Sequence, residues 1–342
     1  MKTVALIMAG GRGERFWPAS RNEKPKQFLC FTNENESMIQ MTVKRILPLV
    51  SMNDIYILTN EAYKSLVHEQ LPSIKEDHII LEPVSKNTAP AIELGIEAVK
   101  KTYSDVSVIV LPSDHLIADE NEFRKVLSLA KGFAETHDSI VTIGINPTEP
   151  NTGYGYIQLG QGNDVKKVTR FAEKPALEIA KQYLKEGNYV WNAGMFIFTL
   201  KNMERALQRY LPKQYEILSK DISRFNEVES ISIDYGVMER ADNIYCIPGS
   251  FGWNDVGSWG ALEEVFKKDG NGNCLLNKDT VAIDSKGVTI KGTNKKLIAT
   301  MGLKNVVIVE TEDAIMVINK DKLSDIKKIR TELFKDKLDK YL

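Results

Sequence analysis

A glycine-rich, basic loop follows the first apolar stretch of the chain. Gly10, Gly11 and Gly13 come directly after the apolar run at 3–8, and glycine lets the backbone turn sharply and bring bare N–H groups against an anion. Basic side chains lie close behind the glycines, at Arg12, Arg15, Arg21, Lys24 and Lys26. So many positive groups in one loop would repel one another without a negative partner. The loop therefore predicts a site for a polyphosphate.

Two better-known phosphate loops do not fit this stretch. The loop of nucleotide hydrolases requires Gly-Lys-Ser/Thr, whereas Gly13 is followed by Glu14 and Arg15. A dinucleotide-binding loop requires a third glycine where Phe16 stands, and an acidic residue about 20 residues further on. An ordinary turn with solvated basic residues remains an alternative for Arg21 and Lys24.

Two aspartates are candidates for binding a metal ion. Asp114 ends an apolar strand in L-P-S-D-H, and Asp255 stands in the turn F-G-W-N-D-V-G-S-W. Polyphosphate chemistry nearly always uses Mg²⁺, which takes oxygen ligands from one or two carboxylates and from phosphates. Each aspartate alone is equally compatible with a helix cap or a turn. Beside a phosphate loop, the two predict a site for Mg²⁺ or another divalent cation.

A second group of residues is suited to a sugar phosphate. Lys174 offers a point charge for a monophosphate, and Glu173 and Asn192 offer acceptors and a donor for neighbouring hydroxyls. Gly155 adds backbone that a ligand can approach. The alternative is turn and helix-start chemistry, because Lys-Pro before a helix and Asn-Thr-Gly in a turn are both common.

The first 145 residues alternate between short β-branched runs and longer helical periods. Strands are predicted at 3–9, 54–59, 78–82, 106–111 and 139–145, with helices at 37–48, 61–71, 88–103 and 120–137. This alternation predicts an α/β fold with a Rossmann-like mixed, mainly parallel sheet and flanking helices. Ligands of such sheets bind at the carboxyl ends of the strands, where the glycine-rich loop emerges.

The later part of the chain has a different pattern. The sheet is predicted to continue past residue 150, with strands at 155–160, 165–173, 194–200 and 244–247 and helices at 176–186, 201–210 and 257–268. From residue 271, short apolar strands alternate with Gly, Asn and Lys, which predicts a small β-helix-like module followed by a charged helix at 320–340. We expect a catalytic domain at 1–268 and a C-terminal domain at 269–342. The module carries no evident chemistry and is interpreted as structural or as the contact of a homodimer.

Composition excludes several classes of protein. The 45 basic and 46 acidic residues of the 342 leave a net charge of −1, so no overall field attracts nucleic acid or an anionic membrane. No stretch approaches the ~18 apolar residues of a membrane span. Cys30, Cys246 and Cys274 are far apart and odd in number, which argues against disulfides and structural zinc and favours a reducing cytoplasm.

Taken together, the motifs resemble the nucleotidylyltransferases that activate sugar 1-phosphates, and among them the bacterial mannose-1-phosphate guanylyltransferases. The resemblance covers about the first 260 residues in the family's order and rests on G-G-R-G-E-R-F-W-P-A-S (10–20), K-P-K-Q-F (24–28), E-P-V-S-K-N-T-A-P-A-I (82–92), L-P-S-D-H (111–115), F-A-E-K-P (171–175), W-N-A-G-M-F-I-F (191–198) and F-G-W-N-D-V-G-S-W (251–259). The segment 301–317 also resembles the β-helical tail of that family. The resemblance implies Mg²⁺-dependent transfer of GMP from GTP to mannose 1-phosphate, with GDP-mannose and pyrophosphate as products.

The resemblance also assigns roles to individual residues. Lys26 and Arg15 would act on the reacting phosphates, Asp114 and Asp255 would bind the metal ion, and Gly155, Glu173, Lys174 and Asn192 would bind the sugar phosphate. The nucleotide would be held by Gly10, Gly11, Gly13, Glu82, Asn87, Thr88 and Ser113. Lys86 stands where many relatives have arginine, and no role is assigned to it.

The choice of base has a physical argument of its own. Guanine presents two adjacent donors, N1–H and N2–H₂, which one carboxylate can accept together. Glu82, at the end of the third strand, is placed to do so. Two alternatives stay open: the same chemistry with another nucleotide or hexose 1-phosphate, and a catalytically silent regulatory subunit that binds a nucleotide sugar.

Overall fold

The computed structural model describes residues 1–32 and 35–342, and these form two compact units. The first, called here the sheet unit, comprises Met1–Gly10, Ile39–Ser113 and Ile117–Trp253. The second, called the C-terminal unit, comprises Gly11–Met38, Asp114–Leu116 and Asn254–Leu342. The glycine-rich loop after Gly10 therefore belongs to the same unit as the end of the chain.

The helices and strands are numbered in chain order. The helices are α1 (Met38–Ile46), α2 (Lys64–Gln70), α3 (Thr88–Lys100), α4 (Glu120–Thr136), α5 (Leu177–Glu186), α6 (Leu200–Tyr210), α7 (Pro212–Leu218), α8 (Trp259–Val265) and α9 (Ile326–Lys335). The strands are β1 (Lys2–Met8), β2 (Ile55–Asn60), β3 (Ile79–Glu82), β4 (Val106–Pro112), β5 (Leu116–Ile117), β6 (Ile140–Ile145), β7 (Tyr156–Gly162), β8 (Lys166–Ala172), β9 (Tyr189–Thr199), β10 (Ile244–Gly249), β11 (Trp253–Asn254), β12 (Cys274–Leu275), β13 (Thr280–Ile283), β14 (Thr289–Lys291), β15 (Ile298–Met301), β16 (Val306–Glu310) and β17 (Ile315–Asn319).

The sheet unit is built on nine strands in the order β3-β2-β1-β4-β9-β6-β10-β8-β7. The β3-β2-β1-β4 half is parallel, whereas β9 runs antiparallel to β4, β6 and β7. The β-α-β alternation of the first 145 residues produces the parallel half, because each crossover helix returns the chain to the same end of the sheet. The predicted α/β fold with a mixed sheet is confirmed.

The core of this unit lies between the sheet and its helices. Strands such as β1 and β4 are buried along nearly their whole length, as expected for central strands covered on both faces. Helix α3 approaches the sheet closely at Gly95, where an added Cβ would lie 2.9 Å from Leu6 Cδ1 and 3.0 Å from Leu58 Cδ2. The missing side chain at Gly95 therefore sets the position of α3 over β1 and β2.

The C-terminal unit contains the small β-rich module. Strands β12, β14 and β16 pair in parallel, as do β13 and β15, and β17 closes the first group in antiparallel direction. Short parallel strands stacked one repeat above another are the arrangement of a β-helix, so this prediction is confirmed as well. Gly287 and Gly302 turn the chain between strands with φ of 61° and 70°, a conformation that suits glycine.

Two predicted boundaries are wrong. The strand expected at 194–200 starts at Tyr189, and Gly194, with a φ of 66°, lies inside it. The single charged helix expected at 320–340 is instead α9, flanked by 3₁₀ turns at Lys320–Asp325 and Asp339–Tyr341. No helix in the described part of the chain is long and apolar enough to cross a membrane.

Candidate active site

The glycine-rich loop lines a cleft of about 370 Å³ in the C-terminal unit. The lining consists of residues 11–16, Lys26 and Asp114, joined by Val256, Gly257 and Lys327. The structure thus brings the predicted phosphate-binding residues Gly11, Gly13, Arg15 and Lys26 together with a predicted metal ligand. Of these residues, the glycines supply backbone and the others supply charge.

Gly13 cannot carry a side chain in this loop. Its φ is 60°, and an added Cβ would lie 2.6 Å from Lys26 Cβ and 2.7 Å from the Lys26 backbone nitrogen. Gly11 differs, because nothing lies within 4 Å of its Cβ position. Gly13 therefore lets the loop close on Lys26, and Gly11 leaves open space in the cleft.

Lys26 links the two predicted metal ligands. The residue is buried, with 5% of its surface exposed. Its Nζ donates to Asp114 Oδ2 at 2.9 Å and to the backbone carbonyl of Asp255 at 2.6 Å. The Asp255 carboxylate accepts the Gly257 N–H at 2.9 Å, and this contact orients the turn at 255–257. One ammonium group thus contacts both aspartates, through a carboxylate in one and a carbonyl in the other.

The Asp114 carboxyl is held in its charged form. Burial works against ionisation, but the neighbouring charges of Lys26 and His115 and the hydrogen bond from Lys26 outweigh it and lower the pKa of Asp114. A carboxylate that is ionised near neutral pH is a suitable ligand for a hard cation. No cluster of three or more His, Cys, Asp or Glu side chains suited to a metal exists among the described residues, so a cation here would take its other ligands from phosphates and water.

Arg12 and Arg15 lie on the open side of the loop. Both side chains are exposed, and neither forms a hydrogen bond or an ion pair with any residue that the structure describes. These two cations have no acidic partner among the described residues, and they lie in a loop that contains three glycines. This arrangement favours an external anion as their partner.

Aromatic packing holds the loop in place. Phe16 contacts Phe31 and Trp259 with ring centroids 4.8 and 5.1 Å apart, and Trp259 Nε1 donates to the Trp17 carbonyl at 3.2 Å. Trp259 is fully buried. The apolar side of the loop is therefore fixed in the core of the C-terminal unit, while its charged side chains remain in the cleft.

In the sheet unit, Gly10 and Glu82 lie against each other. An added Cβ on Gly10 would be 2.8 Å from Glu82 Oε1. Glu82 is only 7% exposed, and its carboxyl forms no hydrogen bond or ion pair within the described part of the chain. Burial raises the pKa of Glu82 to about 7. A buried carboxyl without a partner is costly unless a ligand supplies donors.

Three predicted nucleotide-binding residues have structural contacts in the sheet unit. Asn87 has a φ of 69° and caps α3, since its side chain accepts the Thr88 N–H at 2.9 Å. Thr88 Oγ1 accepts the Ile233 N–H at 2.8 Å. Ser113 is buried, and its N–H donates to the Met8 carbonyl at 3.1 Å. These contacts position the start of α3 and the end of β4.

Lys86, left without a role above, acts as a structural link within the sheet unit. Its Nζ donates to the carbonyls of Asn226 and Val228 at 2.6 and 2.5 Å. The lysine therefore ties the segment before α3 to the segment after α7.

The four predicted sugar-phosphate residues form one cluster in the sheet unit. An added Cβ on Gly155 would be 2.5 Å from Glu173 Oε2 and 3.5 Å from Asn192 Cβ. The Asn192 N–H donates to the Gly155 carbonyl at 2.8 Å. Lys174 Nζ contacts Glu173 Oε1 at 2.6 Å, and its side chain is 60% exposed. Burial is the largest single influence on the pKa of Lys174 and lowers it, but the hydrogen bond and charge of Glu173, together with Asp234 and Tyr235, outweigh burial and the net shift is upward.

A further carboxyl, absent from the sequence prediction, belongs to this cluster. Asn192 Nδ2 donates to Asp234 Oδ1 at 2.9 Å, and Asn192 Oδ1 accepts the Gly194 N–H at 3.0 Å. Asp234 begins a π-helical turn at Asp234–Met238, and such turns are frequent at functional sites. Burial and the charge of Glu173 raise the pKa of Asp234 to about 7. The sequence around 234 contains no motif that would have signalled it.

Comparison with known proteins identifies similar chains over nearly the whole length. The family model described as Nucleotidyl transferase matches residues 4–272, and the model of a MannoseP isomerase/GMP-like beta-helix domain matches residues 278–333. The mannose-1-phosphate guanylyltransferase of Salmonella muenchen is 40% identical over 348 residues, which cover 96% of this chain and 72% of that protein. The xanthan biosynthesis protein XanB of Xanthomonas campestris pv. campestris (strain B100) is 39% identical over 346 residues, with 96% and 73% covered.

One solved structure matches with a TM-score of 0.90. It is described as a "mannose-1-phosphate geranyltransferase" from Thermus thermophilus and is 34% identical in sequence. The match covers 97% of this chain and 99% of that chain. The likeness therefore extends over the sheet unit and the C-terminal unit alike.

Proposed function

This chain belongs to the nucleotidyl transferase family, and we propose that it transfers GMP from GTP to mannose 1-phosphate, with GDP-mannose and pyrophosphate as products. The family resemblance predicted from the sequence is confirmed by the matches over residues 4–272. The observation that carries the proposal is the cleft in which the glycine-rich loop, Arg15 and Lys26 surround space suited to a polyphosphate. Similar proteins named as mannose-1-phosphate guanylyltransferases support the choice of substrates.

The proposed reaction is an in-line displacement at the α-phosphorus of GTP. An oxygen of mannose 1-phosphate forms the new P–O bond, the bond to the bridging oxygen breaks, and pyrophosphate leaves with its electron pair. A phosphate monoester is already largely dianionic near pH 7, so no general base is required. The protein then contributes position and positive charge. Lys26 and Arg15 are the side chains proposed to neutralise charge on the transferred and departing phosphates.

A divalent cation fits the residues of the cleft. Asp114 is kept ionised by its surroundings, and Asp255 offers a second carboxylate in a turn that also contacts Lys26. Mg²⁺ is commonly bound by one or two carboxylates with substrate phosphates. We propose Asp114 and Asp255 as its ligands. When bound, the cation would supply further neutralisation of phosphate charge.

Glu82 is the residue proposed to select guanine. Its carboxyl is buried, lacks a partner among the described residues and lies against Gly10 in the sheet unit. Guanine N1–H and N2–H₂ would supply two donors to the two carboxylate oxygens. Uracil and thymine present one donor between two acceptors, so they would leave one oxygen unsatisfied. Asn87, Thr88 and Ser113 stay proposed nucleotide-binding residues whose described contacts are structural.

Mannose 1-phosphate is proposed to bind to Gly155, Glu173, Lys174 and Asn192. Lys174 supports phosphate binding because its side chain is 60% exposed and its ammonium, paired with Glu173 at 2.6 Å, carries a positive charge. Glu173 and Asn192 support binding of hydroxyls. The Asn192 amide donor is shared with Asp234, which fixes the orientation of its acceptor and donor.

We also propose that the chain forms a homodimer through the C-terminal module. Strands β13 and β15 pair with Val281 opposite Ala299 and Ile283 opposite Met301. These side chains share one face of the sheet and are exposed, Met301 to 68% and Ile283 to 46%. A contiguous apolar face of this kind is typical of an interface.

The boundary between domains 1–268 and 269–342 is supported by the limits of the two family models.

The proposed function is tested by offering the purified protein Mg²⁺, mannose 1-phosphate and each of GTP, ATP, UTP and dTTP. Pyrophosphate release and nucleotide-sugar formation are followed in parallel. We expect GDP-mannose to form fastest. Faster product with another nucleotide would keep the reaction and overturn the role of Glu82, whereas a folded protein that makes no product with any sugar phosphate would overturn the proposed function.

A further inference from the structure

The C-terminal helix α9 lies against the phosphate-binding loop inside the C-terminal unit. It packs on the 3₁₀ turn at Glu14–Phe16, and Ile326, its first residue, is fully buried. Arg330 Nη2 donates to Asn22 Oδ1 at 2.7 Å. The helix therefore contacts the loop on both sides of Trp17.

The residues around α9 are bound to the same loop. Trp17 Nε1 donates to the Tyr341 carbonyl at 2.7 Å, and the Asn22 N–H donates to the Leu342 O at 3.0 Å. Arg21 Nη2 contacts Asp313 Oδ1 at 2.9 Å. These contacts cover both ends of the segment 313–342. The loop that carries the glycines is therefore held by a segment nearly 300 residues away in the sequence.

One side chain of α9 extends into the cleft itself. Lys327 lines the cleft together with Arg12, Arg15 and Lys26. Its Nζ lies 3.2 Å from Glu14 Oε2, and the two side chains are 65% and 29% exposed. An exposed ion pair of this kind is worth little, because water solvates both charges and salt screens them. Lys327 can therefore leave Glu14 for a more highly charged anion at small cost.

The charges of the cleft call for such an anion. Among the described residues, four cations line it, namely Arg12, Arg15, Lys26 and Lys327, whereas Glu14 and Asp114 are the acidic residues of the lining. Lys26 is paired with Asp114. By formal charge, four cations and two carboxylates give this lining +2, and the divalent cation proposed for the cleft would make it more positive. A single phosphate, with about −1.5 to −2 charges at pH 7, would then balance only part of the charge, and a pyrophosphoryl group would balance more of it. Lysine, as a compact point charge on a flexible stem, suits this role without a fixed geometry.

We propose that Lys327 is a phosphate-binding residue of the nucleotide site, and that α9 thereby completes the cleft with a charge for the pyrophosphoryl group. This inference rests on the proposed function for the identity of the nucleotide. The binding of an anion by Lys327 is tested separately, with inorganic pyrophosphate as the ligand. The small C-terminal module, interpreted from sequence as structural or as the contact of a homodimer, then also takes part in substrate binding. Glu14 acts as the partner that Lys327 leaves when the anion binds.

The rival explanation is that Lys327 only fastens the helix to the loop through Glu14. The two explanations differ in the effect of Glu14→Gln. If the ion pair is a fastening, Glu14→Gln and Lys327→Ala remove the same contact and weaken anion binding alike. If Lys327 binds the anion, Lys327→Ala weakens binding, whereas Glu14→Gln strengthens it, because the variant removes a competing carboxylate.

The experiment is a calorimetric titration of the full chain with inorganic pyrophosphate at constant Mg²⁺ and constant ionic strength. We expect Lys327→Ala to raise the Kd for pyrophosphate about fivefold, as for one exposed charge-assisted contact. Lys327→Arg should restore most of the affinity, and Glu14→Gln should lower the Kd. Lys328→Ala is the matched control, since Lys328 is on the same helix, is 77% exposed and pairs with Asp325 at 3.0 Å. Its Kd should equal that of the wild type.

Equal affinity of the Lys327→Ala and Lys328→Ala variants would overturn the proposal, and so would a wild-type protein that does not bind pyrophosphate. Weakening by Glu14→Gln would assign Lys327 to the rival role. In the enzymatic reaction, Lys327→Ala should raise the KM for GTP and leave the KM for mannose 1-phosphate unchanged. A wild type that binds pyrophosphate but forms no GDP-mannose would defeat the proposed function without touching this inference.

Discussion

The carboxyl of Glu82 should cost the protein stability at neutral pH, and its removal should reveal this cost. Burial raises the pKa of Glu82 from an ordinary value of 4.5 to about 7. Each pKa unit is worth about 1.4 kcal/mol, so the full difference corresponds to about 3 kcal/mol. The unfolded chain loses this proton near pH 4.5 and the folded chain near pH 7. Between these values the unfolded state binds fewer protons, and the free energy of unfolding therefore falls as the pH rises.

Glu82→Gln removes the titrating proton while it keeps the shape of the side chain. We expect the variant to match the wild type near pH 4.5 apart from a constant offset, and then to gain up to about 3 kcal/mol on it by pH 7.5. The assay is urea unfolding at pH 4.5, 5.5, 6.5 and 7.5, with the midpoint and the slope compared. Glu69→Gln, on the exposed surface of α2, is the control and should show no such gain.

The same variant should lose function as it gains stability. Guanine donors would stabilise the charged carboxyl, so GTP binding near pH 7 should release roughly half a proton, measured by calorimetry in buffers of different ionisation enthalpy. Glu82→Gln should abolish this release and reduce use of GTP much more than use of UTP or dTTP. If the free energy of unfolding of the variant and of the wild type changed in parallel with pH, the claim that burial raises the pKa of this carboxyl would be refuted. Equal losses with all nucleotides would refute its role in base selection.

Three further predictions concern the phosphate loop, the sugar cluster and the β-module. Lys26→Ala should lower kcat at least about 100-fold, as loss of a charge that stabilises the transition state does. It should also lower Tm, because Asp114 and the Asp255 carbonyl lose their donor, so rates are compared well below the Tm of the variant. Lys24→Ala, exposed in the same loop, is the control, and equal rates for the two would dismiss Lys26. Asp234→Ala should raise the KM for mannose 1-phosphate about tenfold, because Asn192 loses the acceptor that orients it. The KM for GTP, measured in the same steady-state kinetics, should stay constant. A change confined to the KM for GTP would contradict this prediction. Met301→Lys should shift the mass measured by light scattering from dimer to monomer, and a wild type that is already monomeric would exclude the proposed interface.

The type of chemistry and the parallel half of the sheet could be predicted from residue types and spacing. The apolar runs at 3–9 and 106–111 predict strands that the structure has within one residue at each end, because β-branched runs between helical periods act locally. Gly13 could also be read from the sequence as a turn residue. Only the structure shows that its Cβ would collide with Lys26, since that contact depends on how the loop folds back on itself.

Other features were decided by tertiary packing alone. Lys327 has no motif around it, and it reaches the cleft because Ile326 is buried where α9 packs on the loop. Asn192 was expected to offer hydrogen-bonding groups to the sugar, and the turn at Asp234–Met238 brings a carboxyl group that accepts from its amide. In both cases the partners are separated by tens to hundreds of residues, so no local pattern encodes the contact. Residue type and spacing predict which chemical groups the reaction needs, whereas burial and long-range packing decide which of these groups come into contact.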